Sequence, residues 1–334
     1  MTDDSHCSPI CKFAFEEFAI NRNYWLLLAF VLITWPGLSR GADENFTRTE
    51  DVVYGRKFGS ALTLDVFTPK ENANGAAIVY CVSGGWFSDH RAINPNGYAE
   101  YLKRGYTVFA VVHGSQPRYT IPECVADMNR AVRFIRAHAA DYKIDPERIG
   151  VTGGSAGGHL SLMLGTAGDK GNEKGEDPIE RQSSRVQAVG CLYPPTDFLN
   201  YGQPGEIALG TGVLKNFVAP FDFNAINPET KRFERITDET KRQEIGKQIS
   251  PFYHATADDP PTLIIHGDAD KLVPIQQAEL IIGKLKELGV PTELVRKEGA
   301  QHGGPQFADS VQIIADWFDK HLAKPAPSAA VEAK

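Results

Sequence analysis

The sequence has few cysteines, and their arrangement excludes a disulfide framework. Only five occur in 334 residues, and Cys7 and Cys11 precede the region that we predict to fold. The other three, Cys81, Cys124 and Cys191, are odd in number and widely spaced, and they form no CxxC metal motif. Two of them stand in apolar, strand-like runs, where we predict buried thiols. Nowhere do His, Cys and carboxylate residues have the spacing of metal ligands, so we expect no metal and no other cofactor.

Dense positive charge is also absent. The chain has 35 Lys and Arg residues against 42 Asp and Glu residues, a net charge of -7, with no basic run. Because nucleic-acid-binding surfaces are basic, this composition argues against a nucleic-acid partner. Hydrophobic residues at 42% and charged residues at 23% are ordinary for globular proteins, which excludes a disordered or fibrous chain. A chain of this length buries a sizeable core in one large α/β domain or two small ones.

Long apolar runs are missing, with one short exception near the N-terminus. The segment WLLLAFVLITW, residues 25–35, has 11 residues without a charge. It is too short to span a bilayer comfortably and has the length of the apolar part of a signal peptide. We therefore predict that residues 1–41 are a leader of a secreted or periplasmic protein, with no stable membrane insertion after cleavage. The alternative is a membrane anchor formed by residues 24–36.

From residue 52 onward, strand-like and helical segments alternate. Four strand-like runs come first: LTLDVFTP, AAIVYCV, YTVFAVV and RIGVTG. Three more strand-like segments follow at 186–193, 261–267 and 292–297, and amphipathic helices such as 122–139 stand between strands. This order predicts a doubly wound, mostly parallel sheet of about eight strands with helices on both faces. The first two strand candidates, at about 51–68, are predicted to form an antiparallel hairpin at one edge.

Two segments depart from this alternation. Residues 198–250 are rich in Asn, Pro, Gly and charge, and only their last part has a helical pattern. We predict that they form a small insertion over the carboxyl edge of the sheet, as a lid or pocket wall. Residues 323–334 are predicted to be a disordered tail. The folded domain is therefore expected to span residues 42–322.

The ten residues VTGGSAGGHL, 151–160, place one serine among glycines between a strand-like run and a helix. A phosphate-binding loop there requires the lysine of a Walker motif or GxGxxG spacing, and neither is present. Gly153 to Gly157 fit GxSxG instead, in which small neighbours leave room for a serine held in a strained backbone conformation above a sheet. The pattern predicts that Ser155 is a nucleophile.

A serine nucleophile needs a histidine base and a carboxylate that orients it. In HGDADKLVP, Asp268 and Asp270 follow a strand, and in GAQHGG, His302 stands in a glycine-rich loop before the last helix. Ser155, Asp270 and His302 follow one another along the chain in the order expected when the nucleophile stands at a strand–helix turn of a mostly parallel sheet. One alternative stays open, in which Asp270 caps a helix and Asp197 of YPPTDF supplies the acid.

The motifs GGSAGG, HGDADKLVP and GAQHGG, in this order, resemble the α/β-hydrolase superfamily of serine esterases over about residues 50–322. The chain is most similar to the branch that holds acetylxylan and feruloyl esterases and the HGGG lipases and esterases. This resemblance implies an α/β-hydrolase fold in which Ser155, Asp270 and His302 are the catalytic triad. It also implies that Asp268 stabilises its loop rather than acting in catalysis.

The resemblance further implies an oxyanion hole. The backbone N–H of Ala156 is one expected donor, and in the related esterases the last two glycines of HGGGW supply the others. The matching segment here is CVSGGWFSDH. Gly84 and Gly85 keep the donor positions, while Val82 and Ser83 stand where His and Gly are usual.

The expected function is hydrolysis of carboxylic esters through an acyl-enzyme. Together with predicted export, the resemblance implies acetyl or feruloyl type esters of a polysaccharide or a small molecule. Trp86 either lines the substrate pocket or packs beneath the lid. Three alternatives stay open: a prolyl-oligopeptidase-type peptidase, although these usually carry a preceding propeller; a lipase, although 198–250 contain no strongly apolar lid; and an inactive hydrolase-fold binding protein. The oligomeric state is left open.

Overall fold

The computed structural model describes residues 45–324. The predicted leader, residues 1–41, lies outside them, as do residues 325–334 of the predicted tail, so both stay predictions. Within the described range, no helix combines the length and apolarity that a bilayer crossing requires.

An eight-stranded sheet forms the centre of the described region. The described residues form ten strands in all: β1 (Phe46–Lys57), β2 (Ser60–Pro69), β3 (Ala77–Val82), β4 (Thr107–Val112), β5 (Ile149–Gly154), β6 (Ala188–Leu192), β7 (Asn224–Ile226), β8 (Phe233–Arg235), β9 (Thr262–Gly267) and β10 (Thr292–Lys297). The main sheet has the order β1-β2-β4-β3-β5-β6-β9-β10, and β7 and β8 pair separately. The pairs β1–β2 and β2–β4 are antiparallel, and the other pairs of the main sheet are parallel. The predicted fold class and the predicted edge hairpin are both confirmed.

Helices cover both faces of this sheet. Within residues 45–324 they are α1 (Ala99–Lys103), α2 (Ile121–Ala137), α3 (Ala156–Ala167), α4 (Glu239–Gln248), α5 (Gln276–Glu287) and α6 (Ser310–His321). One hydrophobic cluster joins Val79 of β3 to α2, α3 and α5, and a second joins Ile78 to α1 and α6. Successive residues of a strand point to opposite faces, which is why these neighbours belong to different cores.

The helix predicted at 122–139 shows how local sequence sets an element. It runs from Ile121 to Ala137, and its apolar residues at spacings of three and four are buried. At its start, the Thr120 N–H donates to Glu123 Oε2 at 2.8 Å, and Pro122 occupies a position where a missing N–H is harmless. It ends earlier than predicted because His138 leaves the helical conformation, with φ -104° and ψ 18°.

The segment 198–250 contributes no strand to the main sheet. It holds the β7–β8 ribbon, short 3₁₀ turns and, as its pattern predicted, one α-helix near its end, α4. Its base is closed by hydrogen bonds, since the Phe198 N–H donates to Ser250 Oγ at 3.1 Å and the Phe252 N–H donates to Thr196 O at 3.1 Å. We refer to residues 198–250 as the insertion.

The cysteines of the described region are buried. Cys81 and Cys191 lie in β3 and β6, and Cys124 lies in α2; all three are free thiols. The predicted core thiols are therefore confirmed. They fill space between the sheet and its helices as small apolar side chains do.

The contact between α6 and the sheet gives a test of the packing. Phe318 is fully buried, and a Cβ added at Gly150 of β5 would lie 2.9 Å from its ring. We expect Phe318→Ala to lower the free energy of unfolding by about 3–5 kcal/mol, because the ring leaves a cavity against a strand that has no side chain to fill it. Urea denaturation measures this change. The exposed Gln312→Ala in the same helix should stay within about 0.5 kcal/mol of wild type. An equal decrease in the free energy of unfolding of the two variants would contradict this packing.

Candidate active site

Ser155 occupies a sharp turn between β5 and α3. Its backbone has φ 54° and ψ -118°, a left-handed conformation that residues with a Cβ rarely adopt. A Cβ on Gly153 would lie 2.7 Å from the Gly157 backbone, and one on Gly157 would lie 2.7 Å from Cys81 O. The strand, the turn and the helix therefore approach as closely as glycine allows, which confirms the predicted clearance around the serine.

The three residues predicted for the triad lie together at the carboxyl edge of the sheet. His302 Nε2 is 2.8 Å from Ser155 Oγ, and His302 Nδ1 is 2.6 Å from Asp270 Oδ2. They follow β5, β9 and β10, whose parallel arrangement brings the ends of the strands to one edge. In this chain of contacts, Nδ1–H donates to the carboxylate and Nε2 accepts the serine hydroxyl.

The environment of Asp270 keeps its carboxylate ionised. Oδ1 accepts the backbone N–H groups of Leu272 at 2.9 Å and Val273 at 3.0 Å. Burial raises the pKa of Asp270, but the contacts with His266, with His302 and with the Val273 N–H outweigh it and hold the pKa well below its usual range. His266 Nε2 donates to Val273 O at 2.8 Å and lies 3.6 Å from Asp270 Oδ2. A fixed negative charge next to an imidazole is suited to orienting it.

Two other aspartates considered from the sequence have different surroundings. Asp268 Oδ1 accepts the Gly299 N–H at 2.7 Å and so joins the loops after β9 and β10, which fits a loop-stabilising residue. Asp197 is buried at the base of the insertion, where its carboxylate accepts the Leu199 N–H at 2.9 Å and Asn200 Nδ2 at 2.8 Å. Among residues 45–324, Asp270 and not Asp197 is the carboxylate hydrogen-bonded to His302.

Residues 82–88, from the last residue of β3 onward, carry the predicted oxyanion donors Gly84 and Gly85. The Gly84 N–H donates to Phe87 O at 2.9 Å, and the Phe87 N–H returns a bond of 2.9 Å to Gly84 O. The donor of Gly84 is thus engaged in this short bridge, and its predicted role in an oxyanion hole stays a prediction. Within the described range, the Gly85 N–H has no protein acceptor, and Ala156 begins α3, where an N–H has no partner within the helix. Gly85 and Ala156 keep free donors. Because the sequence predicts oxyanion donors in residues 82–88, we call them the oxyanion loop.

His113, directly after β4, holds the first part of this loop. His113 Nδ1–H donates to Gly114 O at 2.9 Å, so Nε2 accepts the Ser83 hydroxyl at 2.8 Å. Burial lowers the pKa of His113 to about 4, which keeps the ring neutral. Ser88 Oγ donates to Val82 O at 2.6 Å and accepts the backbone N–H of His113 at 3.2 Å. The two residues that depart from HGGGW are thus held from the end of β4.

Trp86 lies beneath the insertion and not in the cleft. Its side chain is 2% exposed, and its ring packs on Phe198 and Phe221 at centroid distances of 5.8 and 5.3 Å. Its Nε1–H donates to His159 Nδ1 at 3.1 Å. The expectation that Trp86 lines the substrate pocket is therefore wrong, because the insertion covers the ring. Its alternative, packing beneath the lid, describes the structure.

A cleft of about 560 Å³ opens above Ser155 and His302. Aromatic rings form much of its wall: Tyr80, Phe87, Tyr193 and Phe217. The ring of Tyr193 lies 4.6 Å from that of His302, and Phe217 of the insertion lies so close to Gly85 that a Cβ there would be 2.8 Å from its ring. Sequence reasoning missed these residues. The sequence does offer a signal for Tyr193, because this residue directly follows a strand of the parallel sheet. It offers none for Phe217, which stands in a segment without hydrophobic periodicity.

Several known proteins are similar to this chain. The Mycobacterium tuberculosis protein named "Probable carboxylic ester hydrolase LipM" is 29% identical over 250 residues, which cover 73% of this chain and 53% of LipM. The chain thus spans about half the length of this relative. A solved structure titled as a truncated carbohydrate esterase from gut microbiota has a TM-score of 0.67 and 27% identity, with 85% of this chain and 99% of that chain covered.

A second solved structure, titled as an acetyl ester-xyloside bifunctional hydrolase from Caldicellulosiruptor lactoaceticus, has a TM-score of 0.65. It covers 81% of this chain and 96% of that chain, and its 22% identity shows the fold alone. The BD-FAE family model matches residues 64–285, from β2 into α5. That stretch is more than half of the chain and contains Ser155, the oxyanion loop and Asp270. With an α/β-hydrolase fold and this match, the chain belongs to the BD-FAE family.

Proposed function

We propose that the protein is a serine carboxylic-ester hydrolase that acts through Ser155, His302 and Asp270. One observation carries the proposal: the serine at the strained elbow, the histidine and the ionised aspartate form an unbroken chain of hydrogen bonds of 2.8 and 2.6 Å at an open cleft. The similarity to proteins named as ester hydrolases supports it.

In the proposed reaction, Ser155 Oγ attacks the ester carbonyl while His302 Nε2 takes the hydroxyl proton. Asp270 stabilises the imidazolium that forms, and the N–H groups of Ala156 and Gly85 donate to the carbonyl oxygen as it becomes negative. His302 then gives the proton to the departing alcohol. Water, activated by the same histidine, releases the acid from the acyl-enzyme and restores Ser155.

The proposed substrates are short-chain acyl esters of carbohydrate, of acetyl or feruloyl type. Phe217 against Gly85 narrows the space beside the proposed oxyanion donors, which favours a short or flat acyl group. The aromatic wall of the cleft is suited to packing on a sugar ring or a feruloyl ring. The structural similarity to a carbohydrate esterase from gut microbiota is consistent with this class. Export, predicted from residues 1–41, belongs to the same proposal, because polysaccharides are found outside the cell.

Replacement of the nucleophile tests the reaction. Ser155→Ala should lower kcat on p-nitrophenyl acetate by about 10⁴-fold or more, because no other group can form the acyl-enzyme. An organophosphate should add covalently to Ser155 of the wild type, as seen by mass spectrometry, and not to the variant. Ser161→Ala is a matched control, since this buried serine of α3 bonds to Gly157 O at 2.8 Å and to Cys81 Sγ of β3 at 3.4 Å, and within residues 45–324 it has no hydrogen bond to His302. Full activity in Ser155→Ala would refute the proposal.

Paired substitutions test the identity of the acid. Asp270→Asn should lower kcat by about 10⁴-fold, because the amide cannot stabilise an imidazolium and favours the wrong tautomer of His302. Asp197→Asn should leave kcat within a few-fold of wild type and mainly lower the melting temperature, because it weakens the base of the insertion. The reverse pattern would identify Asp197 as the acid of the triad. Steady-state kinetics and thermal melts of the two purified variants give both quantities.

A substrate series tests the proposed class. We expect kcat/KM to fall at least about tenfold from p-nitrophenyl acetate to the laurate, and we expect release of acetate from acetylated xylan or of ferulate from its methyl ester. A preference for laurate would indicate a lipase. Cleavage of a proline-containing peptide would indicate a peptidase. Absence of every activity would indicate an inactive hydrolase fold used for binding.

A further inference from the structure

His159 is buried one turn into α3, four residues after Ser155, and both of its ring nitrogens are hydrogen-bonded. Nδ1 accepts Trp86 Nε1–H at 3.1 Å, and Nε2 lies 2.6 Å from Ile249 O. An indole nitrogen only donates and a carbonyl only accepts, so the ring has its proton on Nε2 and none on Nδ1. Burial lowers the pKa of His159 to about 4, in agreement with a neutral ring.

The partners of this ring belong to different parts of the molecule. Trp86 is in the oxyanion loop, and Ile249 follows α4 at the end of the insertion. Phe198, at the start of the insertion, packs on both rings, 5.8 Å from Trp86 and 5.3 Å from His159. One imidazole therefore joins the helix of the nucleophile, the oxyanion loop and both ends of the insertion.

The oxyanion loop depends on outside contacts for its shape. Gly85 and Trp86 have consecutive positive φ angles of 56° and 58°. A residue with a Cβ holds that conformation only where its surroundings maintain it. The Gln116 N–H donates to Trp86 O at 3.2 Å and holds the backbone, while His159 holds the ring. If the ring of Trp86 is released, the pair of left-handed residues can relax, and the direction of the Gly85 N–H changes with it.

We propose that His159 is a positioning residue for the oxyanion hole. Acting through Trp86, it holds the Gly85 N–H in place beside Ser155 and links that position to the insertion. The inference rests on the proposed ester hydrolysis. Because oxyanion donors bind the transition state more strongly than the substrate, loss of the link lowers kcat and leaves KM nearly unchanged.

Three variants separate positioning from folding. His159→Leu removes both hydrogen bonds at similar size, Trp86→Phe removes the Nε1–H donor and keeps an aromatic ring, and His159→Gln restores an amide that can bond to one partner. His159→Leu should lower kcat on p-nitrophenyl acetate about 10- to 100-fold with KM within about threefold, since a displaced donor costs less than a deleted one. His159→Gln should recover part of that loss.

Coupling and a second probe complete the test. The variant with both His159→Leu and Trp86→Phe should have a kcat no lower than that of His159→Leu alone, because both substitutions act through the hydrogen bond between Trp86 and His159. The rate at which an organophosphate labels Ser155 should fall in parallel, and this rate requires no turnover. Leu164→Ala, a buried core substitution in α3, should lower the melting temperature and leave kcat within about twofold.

The outcomes are distinct. Unchanged kcat and labelling rate in His159→Leu, with only a lower melting temperature, would overturn the positioning role. Additive losses in the doubly substituted protein would overturn the action through Trp86. A wild type that hydrolyses no ester but is labelled at Ser155 would refute the proposed function, while the labelling rates of the variants would still decide the positioning role. A wild type that is neither active nor labelled would overturn both.

Discussion

The close approach of α3 to β3 and β5 is the constraint on which the rest of the site depends. Side chains at Gly153 or Gly157 would come within 2.7 Å of backbone atoms, and one at Gly158 would lie 2.7 Å from Leu192 O. This packing leaves Ser155 only the left-handed turn that it has, and it directs the first N–H groups of α3 toward the same space. The loops that carry Asp270 and His302 must reach this fixed point, which their origin at neighbouring ends of parallel strands allows.

Much of this arrangement could be predicted from the sequence, because it follows from patterns that repeat or from residues that have one structural use. Alternating apolar strands and amphipathic helices predict a parallel sheet covered on both faces. That sheet alone brings Ser155, Asp270 and His302 to one edge, although they are 115 and 32 positions apart along the chain. Glycines on both sides of a serine predict the elbow since only glycine leaves the required clearance. These inferences depend on the topology and on steric exclusion, and neither needs the conformation of any loop.

The oxyanion loop could not be predicted in the same way, because its contacts depend on backbone angles and on partners far along the chain. A bridge between Gly84 and Phe87 engages a donor that the motif predicts to be free, and nothing in the letters SGGWF indicates that bond. Ser83 meets His113, 30 residues away, and Trp86 meets His159, 73 residues away. Phe217 reaches the cleft from an insertion without periodicity. Such contacts are set by how irregular segments cross the edge of the sheet.

The histidines near the cleft show how environment assigns different roles to one side chain. His113 and His159 are buried, and burial lowers the pKa of each to about 4, so they are neutral rings that donate at one nitrogen and accept at the other. A neutral imidazole satisfies two buried partners of opposite kind without placing a charge in the core, which suits a fixed connection. His302 instead lies at the cleft and is hydrogen-bonded to the ionised Asp270, which suits the role of base that we propose for it. The substitution of Val82 and Ser83 for the usual His and Gly therefore does not leave the loop unsupported. Its support includes two histidines, His113 at Ser83 and His159 at Trp86, and the insertion is connected to His159.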